Sequence, residues 1–310
     1  MSDATYVIRN YHPSDFNDYV KLNTEIEKLD PMGRWVSPQV LSENLGRPKY
    51  SPEEDLFVVE ISGKIVGFIN ITPEVENERV ILDCLVHPEH RRKGLSGKLF
   101  AYAASRAREL KIKAVRVNIR QDNEVAKKVL TRLGFKSARR FFELKLQLGE
   151  VQLSDSTHPA FICRHLQTGE EDRLTRLQNR CFTDAWEYNP NTTEETAYSL
   201  RLSYSSPEDV ILICEGAKPV GYCWTRINGE ADVADNKKKG RICMLGVDPD
   251  YRSKGVGKMA LLAGLAYLKS KGVQTAELDV DSSNKDAHTL YQSIGFKKWS
   301  STLWYEKAID

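Results

Sequence analysis

The 310-residue chain has almost no excess charge: 45 basic against 43 acidic side chains, a net of +2. So even a balance leaves no electrostatic footprint for nucleic acid or an anionic membrane, and neither is expected as a partner. Long apolar runs are missing too. The longest, "ALLAGLAYL" from Ala260 to Leu268, spans nine residues, against the roughly 20 a membrane helix requires. The first residues, "MSDATYVIRN", lack a basic segment followed by an apolar one, so no secretory leader is expected. Cysteine occurs six times, at 84, 163, 181, 214, 223 and 243, and never as C-x-x-C. Most of these sit in apolar, strand-like surroundings. They read as reduced thiols of a cytoplasmic protein, not as disulfides or zinc ligands, and no metal site is expected. What remains, 41% hydrophobic and 28% charged residues, is a soluble globular composition long enough for two domains.

The chain repeats itself. "VHPEHRRKGLSGKLFAYA" (Val86 to Ala103) and "VDPDYRSKGVGKMALLAG" (Val247 to Gly264) place Gly94 and Gly255 at a separation of 161, which also relates Asn123 to Asn284 and Gly134-Phe135 to Gly295-Phe296. Earlier landmarks, Gly67 and Gly221, are 154 apart, so the second copy carries about seven extra residues. The polar "NGEADVADNKKKG" (Asn228 to Gly240) is where they fit, as a surface loop. Each copy reads as a strand, a helical stretch, a hairpin, a strand running into a glycine turn, an amphipathic helix, another strand and a helix ended by glycine. In the second copy Leu261, Leu262, Leu265 and Leu268 form the apolar stripe of that amphipathic helix. The expected fold is mixed α/β (α+β): two tandem modules, each a mixed central sheet flanked by helices. Residues 1–148 form the first, 149–160 a linker and 161–310 the second.

A strand, a basic glycine turn and a helix N-terminus together make a phosphate-binding device, because unpaired N–H groups and a partial positive charge meet where side chains are absent. Gly257-Lys258-Met259 fails the Walker A pattern, and Ala260 stands where a dinucleotide fingerprint needs its third glycine. A turn that merely needs glycines remains the plain alternative. However, Arg252-Ser253-Lys254-Gly255-Val256-Gly257 resembles, at every constrained position, the coenzyme A signature of the GNAT superfamily of N-acetyltransferases. "LDVDSSNKDAHTLYQSIGF" (Leu278 to Phe296) resembles that family's second signature at the family's spacing. The resemblance covers nearly the whole chain as two copies, and the tandem layout is most similar to the mycothiol synthases within the superfamily.

That resemblance implies acetyl-CoA as donor, with its pyrophosphate on the backbone around Lys254 to Lys258. It assigns Leu245, Gly246 and Val247, whose strand parts from its neighbour, to the pantetheine arm, and Arg252, Ser253, Lys254, Gly255, Val256, Gly257, Lys258 and Asn284 to the rest of the coenzyme site. Tyr291 takes the general-acid position, able to protonate a departing thiolate. Without the resemblance it is a helix residue packed on a sheet. Glu277, Asp279 and Asp281 alternate onto one strand face, the ordinary pattern of a solvated surface. Asp279 also matches the carboxylate of the ribosomal-protein acetyltransferases, which makes it the candidate base. The mycothiol synthases place a glutamate at the start of the strand before the turn, where this chain has Arg241.

The copies are unequal. Tyr291 corresponds to Leu130 and Asp279 to Asn118, neither of which can move a proton. By the same resemblance Cys84, Leu85, Val86, Arg91, Arg92, Lys93, Gly94, Leu95 and Ser96 form a second coenzyme site in a non-catalytic first module, with pure scaffolding as the alternative. The expected activity is acetyl transfer to a primary amine of a small molecule. A protein N-terminal or lysine acetyltransferase and an acyl-CoA-binding pseudoenzyme or sensor are the alternatives. The acceptor pocket is expected from residues 181–205 and 228–240, with Trp186, Glu187 and Tyr188 as candidates.

Overall fold

The computed structural model describes residues 5–31, 37–151, 159–186, 188–227 and 238–309. The central part of the expected linker (152–158), most of the extra loop (228–237) and Glu187 lie outside the described residues. The described elements are β1 (Val7–Asn10), α1 (Phe16–Leu29), α2 (Pro38–Leu45), α3 (Pro52–Asp55), β2 (Leu56–Ile61), β3 (Lys64–Glu74), β4 (Arg79–Val86), α4 (Leu95–Glu109), β5 (Ala114–Arg120), α5 (Glu124–Arg132) and β6 (Lys136–Gln147). They continue with β7 (Ile162–His165), α6 (Glu171–Cys181), α7 (Thr193–Leu200), β8 (Val210–Glu215), β9 (Lys218–Ile227), β10 (Lys239–Val247), α8 (Val256–Ser270), β11 (Thr275–Asp281), α9 (Lys285–Ile294) and β12 (Lys297–Ala308). Apart from the short α3, which has only a 3-10 turn as its counterpart, the order is the same in both halves, and the fold is the expected mixed α/β repeat.

The compact units do not follow the expected division at 148–160. Unit 1 comprises residues 1–139 with 302–310, and unit 2 comprises 140–301. The reason is an exchange of closing strands. β6, which ends the first copy in sequence, pairs antiparallel with β11 from Phe141↔Asp281 to Gln147↔Thr275. β12, which ends the second copy, pairs antiparallel with β5 from Thr302↔Arg120 to Ala308↔Ala114. Unit 1 therefore has the strand order β1-β2-β3-β4-β5-β12, and unit 2 the order β6-β11-β10-β9-β8-β7. The partner of each closing strand is set by contacts far apart in sequence, not by anything local in β6 or β12.

Each sheet is covered on both sides. In unit 2, α8 and α9 pack over Leu278, Val280 and Ile242, with Leu261, Leu265 and Leu268 of α8 fully buried. Leu174, Leu177 and Cys181 of α6 cover the other face against Leu212 and Tyr222. Unit 1 repeats this, with Leu99, Ala103 and Leu130 on one face and Tyr19, Leu22 and Ile26 on the other. One small device shows how closely the copies correspond: Arg9 grips Asp15 bidentately at 2.7 and 2.9 Å, and Arg164 grips Glu170 at 2.6 and 2.8 Å, both members shifted by 155 positions. Asn284 and Asn123 cap their helices, accepting from Ala287 N at 3.1 Å and Ala126 N at 2.9 Å. Gly295 ends α9 at φ +108°, and Gly134 follows α5 at φ +83°.

Candidate active site

The candidate site lies where two parallel strands part. β10 and β11 pair only from Lys239↔Thr275 to Arg241↔Glu277. Past Arg241, β10 continues to Val247 bonded to β9 alone, so one edge of its backbone faces a gap. A bulge adds Cys243 between Ile242 and Met244. The extra residue keeps Ile242, Leu245 and Val247 all on the α8 face, while Met244 turns to the α6 face. Gly246 is fixed by crowding: a Cβ there would meet Tyr222 Cε1 at 2.5 Å and Cys181 Cβ at 3.0 Å.

The turn that follows presents backbone, not side chains. Ser253 at φ +60° and Gly255 at φ +81° are left-handed, an alternation that points successive N–H groups into one concavity. The first helical bond of α8 is Met259 N to Gly255 O at 3.0 Å, so the preceding N–H groups have no helical partner. A Cβ on Gly255 would meet no atom within 4 Å, and one on Gly257 would only touch Val247 at 3.4 Å and Leu290 at 3.7 Å. Room for a ligand therefore lies over this turn, beside the end of β10 and α9. The basic side chains are less committed to it than their sequence suggests. Arg252 donates to Cys181 O at 3.0 Å, and Lys254 lies over the Tyr251 ring at 4.8 Å. Lys258 is exposed in the first turn of α8.

Tyr291 is buried on the α8–α9 side, edge-on to Phe296 at 5.8 Å. Burial pushes its phenol well above the usual tyrosine range, so it stays protonated at every neutral pH. Its hydroxyl makes no hydrogen bond to any described residue. Asp279 lies on the opposite face of β11, since Ala276, Leu278 and Val280 alternate inward with it. Arg241 is bonded to it directly. The Asp279 side chain is 38% exposed, yet it sits among strands that desolvate it. That desolvation pushes its carboxyl above the usual carboxylate range, Arg241 pulls it down, and Glu143 and Glu277 push it up again, for a net rise. The two proposed proton carriers thus flank the sheet, one on each side of the parted strands. The thiols nearby are inert: burial pushes Cys181 up to about 12 and raises Cys223 and Cys243, leaving no thiolate nucleophile among them.

The first copy keeps the turn but has neither the tyrosine nor the aspartate. β4 and β5 part after Leu82↔Val117, and Arg92 (φ +63°) and Gly94 (φ +74°) repeat the left-handed pair. Cys84, Leu85 and Val86 lie on the parted stretch, and Leu95 and Ser96 open α4. β3 and β4 pair without any bulge from Gly67↔Val86 to Glu74↔Arg79. Leu130 is buried where unit 2 has Tyr291, and Asn118 donates to Thr302 Oγ1 at 3.3 Å. Arg91 is paired with Asp30 at 2.9 Å, and Lys93 with the Tyr6 hydroxyl at 2.8 Å.

Sequence reading missed the groups that fasten the turn to α6. Arg180 binds Asp248 at 2.6 Å and Asp250 at 2.5 Å, and these charges were separated by too many residues to be matched without the fold. It also missed the Cys243 bulge, which has no side-chain signature. In the segment expected to line the acceptor pocket, Tyr188 stacks on Phe182 at 5.2 Å and donates to Asn179 at 2.6 Å, packing the chain after α6. Among the described residues no helix is long and apolar enough to cross a membrane.

Comparison with known proteins agrees with this geometry. The family model described as Acetyltransferase (GNAT) family matches residues 24–135 and 172–296. A mycothiol acetyltransferase of Stackebrandtia nassauensis is 28% identical over 286 residues, 91% of this chain and 92% of its own length. Another, from Thermobispora bispora, is 29% identical over 73% of this chain and 75% of its own. Among solved structures, a GCN5-related N-acetyltransferase from Sphaerobacter thermophilus superposes with a TM-score of 0.72 at 19% identity, covering 98% of this chain and 96% of that one. A tandem GNAT protein from the clavulanic acid biosynthesis pathway gives 0.71 at 15% identity, over 99% of both chains. Two matched stretches, the parted strands and the repeated glycine turns lead to one conclusion: the chain belongs to the GNAT family of acetyltransferases, as an N-acetyltransferase of tandem architecture.

Proposed function

We propose that the chain transfers the acetyl group of acetyl-CoA to the primary amine of a small molecule, of the kind used by mycothiol acetyltransferases, and that unit 2 alone performs the transfer. The carrying observation is the gap between β10 and β11, ending in the left-handed Ser253–Gly255 turn, with Tyr291 on one side of the sheet and Asp279 on the other. In this reading the pyrophosphate lies on the N–H groups from Lys254 to Lys258. The pantetheine arm adds to the free edge of β10 at Leu245 and Val247, as an extra strand would. Backbone N–H at that edge polarises the thioester carbonyl, so charge developing on its oxygen has a donor already in place.

The amine must lose a proton and the thiolate gains from one. Asp279 accepts from the amine, directly or through one water, from the α6 face; Tyr291 donates to the sulfur from the α9 face. Arg241 replaces the glutamate expected of mycothiol synthases and positions Asp279 by binding it. Unit 1, with Leu130 and Asn118 at the corresponding positions, holds coenzyme A without turning it over. The resemblance of Asp279 to the base of ribosomal-protein acetyltransferases favours a protein acceptor as the second reading.

The test is an acceptor panel with acetyl-CoA, comprising the desacetyl precursor of mycothiol, simple amino sugars, cysteine conjugates and N-terminal peptides. Acetylated product is followed by mass spectrometry, because an acceptor thiol confounds a free-thiol assay. Acetylation of the mycothiol precursor or a related small amine supports the proposal; turnover of peptides alone replaces it with the second reading.

A further inference from the structure

The two copies fasten the turn after the fourth strand to the first long helix by opposite means. In unit 2 the guanidinium of Arg180 lies between Asp248 and Asp250, at 2.6 and 2.5 Å. The shift of 155 that relates Arg9 and Asp15 to Arg164 and Glu170 maps Arg180 onto Glu25, and the shift of 161 maps Asp248, Asp250 and Tyr251 onto His87, Glu89 and His90. The same two positions meet in both units: Glu25 reaches His87 Nε2 at 4.0 Å. In unit 1, however, the helix contributes a carboxylate where unit 2 contributes a cation. The turn contributes two imidazoles and a second carboxylate, and the ligating atoms of His87, Glu89 and His90 lie within 4.8 Å of one another. Among the described residues no lysine or arginine side chain pairs with Glu25 or Glu89.

We propose that His87, Glu89 and His90, joined by Glu25 from α1, bind a divalent transition-metal ion of the zinc class at the place the Arg180 guanidinium takes in unit 2. Two imidazoles and carboxylates are a donor set suited to zinc and its neighbours, not to calcium or magnesium. Tetrahedral zinc needs its donors about 3.4 Å apart at bond lengths of about 2.1 Å. Drawing in atoms already within 4.8 Å therefore takes side-chain rotations of roughly 1 Å on an open turn, with no movement of β4. His90 is already oriented from behind. The Tyr6 hydroxyl lies 2.9 Å from its Nδ1, and Lys93 holds that hydroxyl at 2.8 Å. With Nδ1–H donating to Tyr6, Nε2 is left to the metal, the usual arrangement of an oriented histidine ligand. The ion does for unit 1 what Arg180 does for unit 2: it ties the helix to the turn that leads into Arg91–Ser96. The expectation of no metal site rested on cysteine spacing, which is blind to "HPEH".

The intact chain, stripped with chelator and dialysed, is titrated with ZnCl2 by calorimetry at pH 7.5, and separately with CoCl2 while visible absorption is recorded. One Zn2+ per chain at micromolar affinity is expected, with a Co2+ d–d band. His90→Ala and His87→Ala should each weaken binding by about 10- to 100-fold. Glu25→Arg puts a cation where unit 2 has Arg180, in place of the ion, and should likewise weaken binding by about 10-fold or more. Circular dichroism identifies any variant that has failed to fold, and His90→Gln then replaces it. The absence of zinc binding by the unaltered chain, or undiminished affinity in either histidine variant or in Glu25→Arg, overturns the proposal.

Discussion

Cutting the chain where its sequence repeats should destroy unit 2, and cutting it where its strands pair should preserve it. A fragment spanning 161–310 follows the repeat but loses β6, so β11 becomes an unpaired edge. It also loses Leu144, Leu146 and Leu148, which are 3%, 4% and 1% exposed in the core shared with α8 and Phe296. At roughly 2 kcal/mol for each buried leucine, about 6 kcal/mol of burial goes with them. The whole stability of a domain is about 5–15 kcal/mol, so the loss is of the same order as the total. Residues 140–301 form one continuous stretch that retains the part of β6 paired with β11, from Phe141 to Gln147, and β11 itself. Urea denaturation followed by circular dichroism should give a cooperative transition for 140–301 and a flat, non-cooperative curve for 161–310. A 161–310 fragment unfolding cooperatively at the same midpoint would refute the account of strand exchange.

Three further outcomes follow from the site and its supports. Tyr291→Phe should leave thermal stability within about 0.5 kcal/mol, because the hydroxyl bonds no described residue, while turnover falls by ~10²-fold, about 2.7 kcal/mol of barrier; unchanged turnover with a good acceptor makes Tyr291 a packing residue. Asp279→Asn should remove the fall in rate on the acid side, since a base whose pKa is raised must be deprotonated to work and protonates as pH drops through that value; a surviving acidic limb in the pH–rate profile assigns the base elsewhere. Arg164 and its partners hold the Glu170 carboxyl down to about 2, below its unfolded value. That pair therefore contributes on the order of 2 kcal/mol, after solvent screening, above the unfolded pKa near ~4.3, and loses it as pH falls toward 2. Glu170→Gln should cost that much in urea denaturation at pH 7 and little at pH 2, and an equal cost at both would contradict the linkage.

How much of this was legible in the sequence varies with the range of the interaction. The repeat, the capped helices at Asn123 and Asn284, and the stripe of Leu261, Leu265 and Leu268 are local patterns, and they read correctly because period and capping are set within a few residues. The glycine turn was legible as a strand-to-helix turn for the same reason. The strand exchange was not, because nothing local says whether β6 and β12 will each join β5 or β11. Arg252 and Lys254 were read as ligand-facing charges; in the fold one is held by Cys181 O and the other by the Tyr251 ring, contacts that exist only once α6 is in place. The Arg241–Asp279 pair joins residues 38 apart across the start of the gap, so a departure from a family pattern in sequence turns out to have a partner in space.

The central claim is that one turn serves catalysis and its copy does not. Gly255→Glu and Gly94→Glu test it as a matched pair, because a Cβ at either position meets no protein atom within 4 Å and both residues are left-handed, at φ +81° and +74°. Each variant carries the same modest backbone strain and the same added charge, so differences between them report the ligand at each turn. The measurement is the initial rate of acetylated product with saturating acceptor, alongside calorimetric binding of acetyl-CoA. The account predicts that Gly255→Glu abolishes product formation while Gly94→Glu keeps most of it. A chain silenced by Gly94→Glu and active with Gly255→Glu would place catalysis in the wrong unit and contradict the account.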